Sequence, residues 1–164
     1  MFRHSQIIKV KKQRIKNPVT DPDFGKSSFS IPVNQKLIKK GKSYFWLPTV
    51  GDSMTDNTGK SIPAGSLVLV SEINIENFRF TNVPMHKALI ITGYERTGKM
   101  YNILKTIRFI DMYDNRFLLR SYNHTFHDFY IPITSVKRIF EVELVRLPSG
   151  TEFIPTVWRE SITF

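Results

Sequence analysis

The chain has 164 residues, 41% of them hydrophobic, which is enough for one domain with its own core and too little for two. It has no cysteine, which excludes disulfide frameworks and thiolate metal sites and fits a reducing compartment; no apolar run approaches the roughly 18–20 residues of a membrane span, and the N-terminus lacks the apolar core of a signal peptide. The net charge of +10 is lopsided, because residues 1–42 hold 11 Lys/Arg against 2 acidic residues whereas residues 43–164 hold 13 against 12. A cytoplasmic protein with no membrane partner is expected.

Residues 1–30 mix basic side chains with Asn17-Pro18, Asp21-Pro22, Gly25 and a serine-rich patch, poor material for a helix or a packed strand, and read as an extended, flexible basic arm. Such an arm is either a solvated tail or a contact for nucleic acid or another polyanion. Residues 31–164 read as one domain. After a short helical turn within 34–40, apolar runs rich in Ile, Val, Phe and Tyr recur at 44–50, 67–70, 88–92, 101–110, 116–121, 129–133 and 139–147. Turn residues separate them at Gly98, Asp114-Asn115 and Asn123, and no segment sustains a helical apolar period over several turns. The fold class expected is mainly β, a bent antiparallel sheet or barrel-like form. The 43 residues before Tyr44, broken by three prolines, cannot supply the helices of a helix-turn-helix domain.

Gly51-Asp52-Ser53-Met54 follows the first domain strand and places a hydroxyl at a tight strand-end turn, where the backbone amides of Asp52, Ser53 and Met54 are candidate oxyanion donors. A serine is a weak nucleophile until a base removes its proton, and a lysine does so only when neutral. Neutrality near pH 7 requires burial, since the free amine has a pKa of roughly 10.4. Lys105 lies in Ile103-Leu104-Lys105-Thr106-Ile107, where period-two alternation puts it on one face with Ile103 and Ile107. The same placement also suits a lysine on an edge strand whose charge snorkels to water.

Val50-Gly51-Asp52-Ser53-Met54, then Ile62-Pro63-Ala64-Gly65-Ser66-Leu67-Val68-Leu69-Val70, Ile103-Leu104-Lys105 and Leu118-Leu119-Arg120-Ser121-Tyr122-Asn123 resemble the Ser/Lys peptidase domain of the LexA/UmuD type, over about residues 33–147. The resemblance implies a LexA C-terminal-domain fold in which Ser53 attacks a peptide carbonyl and Lys105 serves as general base and then acid. It also implies self-cleavage within the N-terminal arm, a homodimer joined through the last strand, and no cofactor or metal. By the same resemblance a RecA filament would stimulate cleavage in an SOS-type response to DNA damage. The products would act in transcription regulation or on a translesion polymerase.

Three features depart from that family. Its small-residue-Gly cleavage pair is missing from the arm; of the Xaa-Gly pairs ahead of the motif, Phe24-Gly25 and Lys40-Gly41, the first is better placed. Residues 71–87 lengthen the path from serine to lysine, which keeps Lys87 and Lys99 open as alternative partners, and the loop 55–61 is enlarged. A non-catalytic binding module of the same fold, using its arm on nucleic acid or a protein, is the reading from another class. A third is a peptidase acting on other chains. Gly93-Tyr94-Glu95-Arg96-Thr97-Gly98-Lys99-Met100 has the spacing of a phosphate-binding loop, but it has Met100 in place of Ser/Thr and lies between two strand-like runs, so a hairpin is expected. His124, His127 and Asp128 lack a fourth ligand and read as surface or packing residues.

Overall fold

A computed structural model describes residues 6–11, 28–58, 60–74 and 85–155. It is mainly β, with 49% of the chain in strands against 5% helical, in one open antiparallel sheet of eight strands. In chain order the sheet strands are β3 (Tyr44–Pro48), β4 (Leu67–Ile73), β5 (Ala88–Tyr94), β6 (Met100–Asp111), β7 (Arg116–Arg120), β8 (Phe129–Pro132), β9 (Val136–Arg146) and β10 (Glu152–Phe153). Their order across the sheet is β3-β4-β9-β5-β6-β7-β8, with β10 also paired to β9. The expected runs thus become strands, and of the two expected forms the sheet takes the open one. Among the described residues no helix is long and apolar enough to cross a membrane.

The arm differs from its sequence reading. Gln6–Lys11 (β1) and Ser28–Val33 (β2) pair antiparallel as a two-stranded ribbon, with Gln6 opposite Val33 and Lys11 opposite Ser28. The physical reason is local: Ile7, Ile8 and Val10 favour extended backbone, and Ser28-Phe29-Ser30-Ile31 alternates with period two. The boundary expected between residues 30 and 31 therefore falls inside β2.

Apolar runs without polar alternation mark strands covered on both faces. In β4, Val68 and Val70 enter one buried cluster with Ile90, Phe140 and Val142, while Leu69 enters another with Trp46 and Leu144. In β5, Leu89 and Ile91 pack instead with Ile107, Phe117, Leu119 and Ile139. Register shifts between Leu69 and Val70, between Thr92 and Gly93, and between Ile107 and Phe109 bend the strands away from a flat sheet. The 93–100 segment closes the β5–β6 hairpin, with Tyr94 opposite Met100, the Glu95 N–H donating to the Lys99 carbonyl at 2.8 Å, and Gly98 at φ +80°. Left-handed backbone at that position favours glycine, which explains Gly98 without a phosphate. The short helical turn falls at Gln35–Leu37.

Candidate active site

The serine is positioned by the connection from β3 to β4. Thr49 fastens both ends of that connection: its N–H donates to the Ser66 carbonyl at 2.9 Å, its carbonyl accepts from the Gly65 N–H at 2.9 Å, and its hydroxyl donates to the Pro63 carbonyl at 2.8 Å. Pro63-Ala64-Gly65-Ser66 makes this possible by turning tightly, with Gly65 at φ +83°. The enlarged loop 55–61 closes at its neck, where the Ile62 N–H donates to the Met54 carbonyl at 2.8 Å and both side chains are buried. The excursion is thus self-contained, and Ser53 stands at the neck.

Lys105 approaches from β6. Its amine donates to the Ser53 hydroxyl oxygen at 2.6 Å, although the two residues are 52 positions apart. Only 7% of Lys105 is exposed, and burial pushes its pKa below the ordinary lysine value. The ring centre of Phe126 lies 5.7 Å from the amine. When the amine is neutral its lone pair can accept the hydroxyl proton over the same separation, which is the geometry of a general base. The alternative in which the Lys105 charge snorkels to water is thereby set aside. Lys87 instead pairs with Glu141, and Lys99 is exposed in the hairpin.

A third segment, the connection from β7 to β8, holds the serine turn from behind. The Asn123 backbone N–H donates to the Ser53 carbonyl at 3.0 Å, and its side-chain amide donates to the Asp52 carbonyl at 3.2 Å. Asp52 O also accepts the Thr55 N–H at 3.0 Å. In a planar trans peptide the carbonyl and the following N–H point in opposite directions. Pinning the carbonyls of Asp52 and Ser53 therefore turns the N–H groups of Ser53 and Met54 away from Asn123. Among the described residues, the N–H groups of Asp52, Ser53 and Met54 donate to no backbone carbonyl. These three amides of the serine turn are therefore candidate oxyanion donors. Asn123 is anchored in turn: its side-chain oxygen accepts from the N–H and hydroxyl of Thr125, and the adjacent Tyr122 packs beside Met54 and Ile62. Burial, with Asp56 nearby, pushes the Tyr122 phenol up to about 12, so it stays neutral.

The cleft beside the pair has a volume of about 120 Å³ and is walled by Thr49, Val50, Gly51, Met54 and Ile103. The structure brings together Ser53 and Lys105, both singled out from the sequence, whereas the pinning of their turn by Asn123 was missed; its signal was a turn asparagine, common at any loop. Phe24 and Gly25 lie outside the described residues. Asp128 is held by Arg108 at 3.0 Å and Arg120 at 3.3 Å, which makes it an ion-pair partner. No protein-family model matches the chain, and no curated protein matches it in sequence.

Proposed function

We propose that this chain is a Ser/Lys peptidase of the LexA/UmuD type, with Ser53 as nucleophile, Lys105 as general base and then acid, and the amides at 52–54 holding the oxyanion. The observation that carries the reading is the buried Lys105 amine 2.6 Å from the Ser53 oxygen. In the first step the neutral amine takes the hydroxyl proton as Ser53 Oγ attacks the carbonyl, and the resulting ammonium returns that proton to the leaving amine. Water then hydrolyses the acyl-enzyme with the amine again as base. The resemblance extends the proposal to a cytoplasmic homodimer that cleaves its own arm when a RecA filament forms, in an SOS-type regulatory or translesion role.

The substrate bond is proposed on size as well as position. A cleft of about 120 Å³ is well below the roughly 300–1,000 Å³ of ordinary ligand pockets, which favours a small side chain beside the scissile carbonyl. Phe24-Gly25 is the best-placed bond of the arm but brings a bulky side chain, so bonds in other chains belong to the same proposal. Intact mass followed over time at pH 7 and pH 10, for the wild type beside Ser53→Ala and Lys105→Ala, tests the reading. Release of a fragment by the wild type alone is expected. A wild type that stays intact, and leaves a panel of small-residue peptides uncut at both pH values, would refute it.

A second reading rests on the charge asymmetry, 11 basic against 2 acidic residues in 1–42. In it the domain is a binding module that docks DNA or a polymerase through its basic arm.

A further inference from the structure

A larger groove continues from the Ser53 cleft along β6. Its volume is about 570 Å³, and Tyr94, Tyr101, Ile103, Phe129, Ile131 and Ser135 line it. Ile103 is a wall of both spaces, so the groove begins where the cleft ends. Tyr101, Ile103 and Lys105 alternate onto one face of β6, which makes that face a continuous track from the amine to the groove. The far wall is built closely. The Tyr101 hydroxyl lies 2.7 Å from the Ser135 hydroxyl, and a Cβ on Gly93 would clash with the Ser135 carbonyl and the Tyr101 hydroxyl. Glycine at position 93 therefore lets the Tyr101 ring lie against the sheet and leaves the groove open above it. Tyr94 and Phe129, 46% and 40% exposed, stand at its rim.

The edge of β6 beside this track indicates what kind of molecule fits. The Glu95–Lys99 hydrogen bond fixes the phase of the hairpin, so residues 101, 103 and 105 direct their backbone groups at β5 and residues 102 and 104 direct theirs at the opposite edge. On that edge β7 pairs only from Thr106 onward, opposite Arg120, and among the described residues no strand pairs with it between 100 and 105. An unpaired edge with spare donors and acceptors beside an apolar track is complementary to an extended chain bearing apolar side chains.

We infer that the groove walled by Tyr94, Tyr101, Phe129 and Ile131 receives an aromatic or large aliphatic side chain of an extended peptide lying along β6. That side chain sits about four residues, or roughly 13 Å of extended chain, from the bond presented to Ser53. The register rests on the proposed peptidase function; the groove itself does not. A remote anchor of this kind lets a small cleft act selectively, because binding energy gathered far from the bond positions it.

The test uses the full chain carrying Ser53→Ala and a set of fluorescein-labelled twelve-residue alanine-host peptides with lysines at the ends, in which one phenylalanine is moved through every internal position. Fluorescence anisotropy should reveal a favoured position that binds roughly tenfold or more tightly than its neighbours, the effect of burying one large apolar side chain. Tyr94→Ala with Phe129→Ala, both at exposed rim positions, should abolish that preference while thermal melting stays near that of the parent. A benzophenone amino acid at the favoured position should crosslink to residues of the groove. No binding, a flat profile, a preference that survives the double substitution, or crosslinks elsewhere would each overturn the inference. So would a homodimer that the double substitution splits, since a second copy would then cover the groove. Wild-type cleavage of the same peptides reads the peptidase function separately: cleavage with a flat profile removes the groove alone, and a sharp profile without cleavage removes the peptidase alone.

Discussion

Lys105 is an amine buried where its charged form is unfavourable, and the base role proposed for it and its cost to stability have the same origin. Burial disfavours the ammonium, so the folded-state pKa lies below the ordinary lysine value of 10.5. The rate of peptide cleavage should therefore rise as pH climbs through that depressed value and reach its plateau before pH 10.5; a rate that rises only in step with ordinary lysine titration would contradict the assignment. Stability follows with a definite sign. Between the folded and unfolded pKa values the unfolded chain binds more protons, so unfolding free energy rises with pH across that window. Below the folded value both states carry the proton and the cost of the buried charge is fully present. Denaturant titrations of wild type and Lys105→Met should show the wild type gaining on the variant from neutral pH toward pH 10, and a constant difference would show that burial does not act on this amine.

At the scale of elements, the site is a meeting of two connections and one strand, and the β7–β8 connection is the part with no chemistry of its own. Asn123 holds the peptide planes of Asp52 and Ser53, which in the proposed reaction makes it a positioning residue. Removing its side chain in Asn123→Ala cuts one of the two bonds it makes to the serine turn and leaves the backbone bond in place. The turnover rate should fall by roughly 10- to 100-fold, in the range of a weakened oxyanion site, with KM and the pH midpoint unchanged. A KM rise with an unchanged rate would assign Asn123 to substrate binding instead. Alternation and turn residues made the strands legible: Asp114-Asn115 and Gly98 turn the chain where expected, and Asn115 takes a positive φ of 52°. The start of β9 was less legible, because Lys137 and Arg138 interrupt the apolar text ahead of Ile139. Ser53 and Lys105 were legible because each stands out within an apolar or glycine-bearing context. The clamp on Asp52 and Ser53 was not, since a contact between residues 70 positions apart leaves no local pattern. Nor did the arm announce its ribbon, where charge and proline obscured two short β-prone stretches.

For the whole molecule, charge and chemistry occupy different parts of the chain. Residues 43–164 are close to neutral, so attraction to a polyanion belongs to the first 42 residues. If the arm is a nucleic-acid contact, affinity for a random-sequence duplex should fall steeply with salt, and deleting residues 1–27, ahead of β2, should abolish it while leaving the Ser53 site untouched. Equal affinity of the full and shortened chains at low salt would exclude that contact. The charged arm and the Ser53 site therefore lie in different parts of the chain, and the two proposed activities can be tested apart.

The placement of β9 has a consequence in time. β4 and β5 are neighbours in sequence but not in the sheet, because β9 lies between them and pairs with both. Ser53 belongs to the β3–β4 side of that insertion and Lys105 to the β5–β8 side. A chain growing from the ribosome therefore holds its serine and its lysine on two halves that share no strand pairing until residues 136–146 have been made. The strand synthesised after every residue of the site is the one that brings the halves together, so the contact between Ser53 and Lys105 waits for the last long strand.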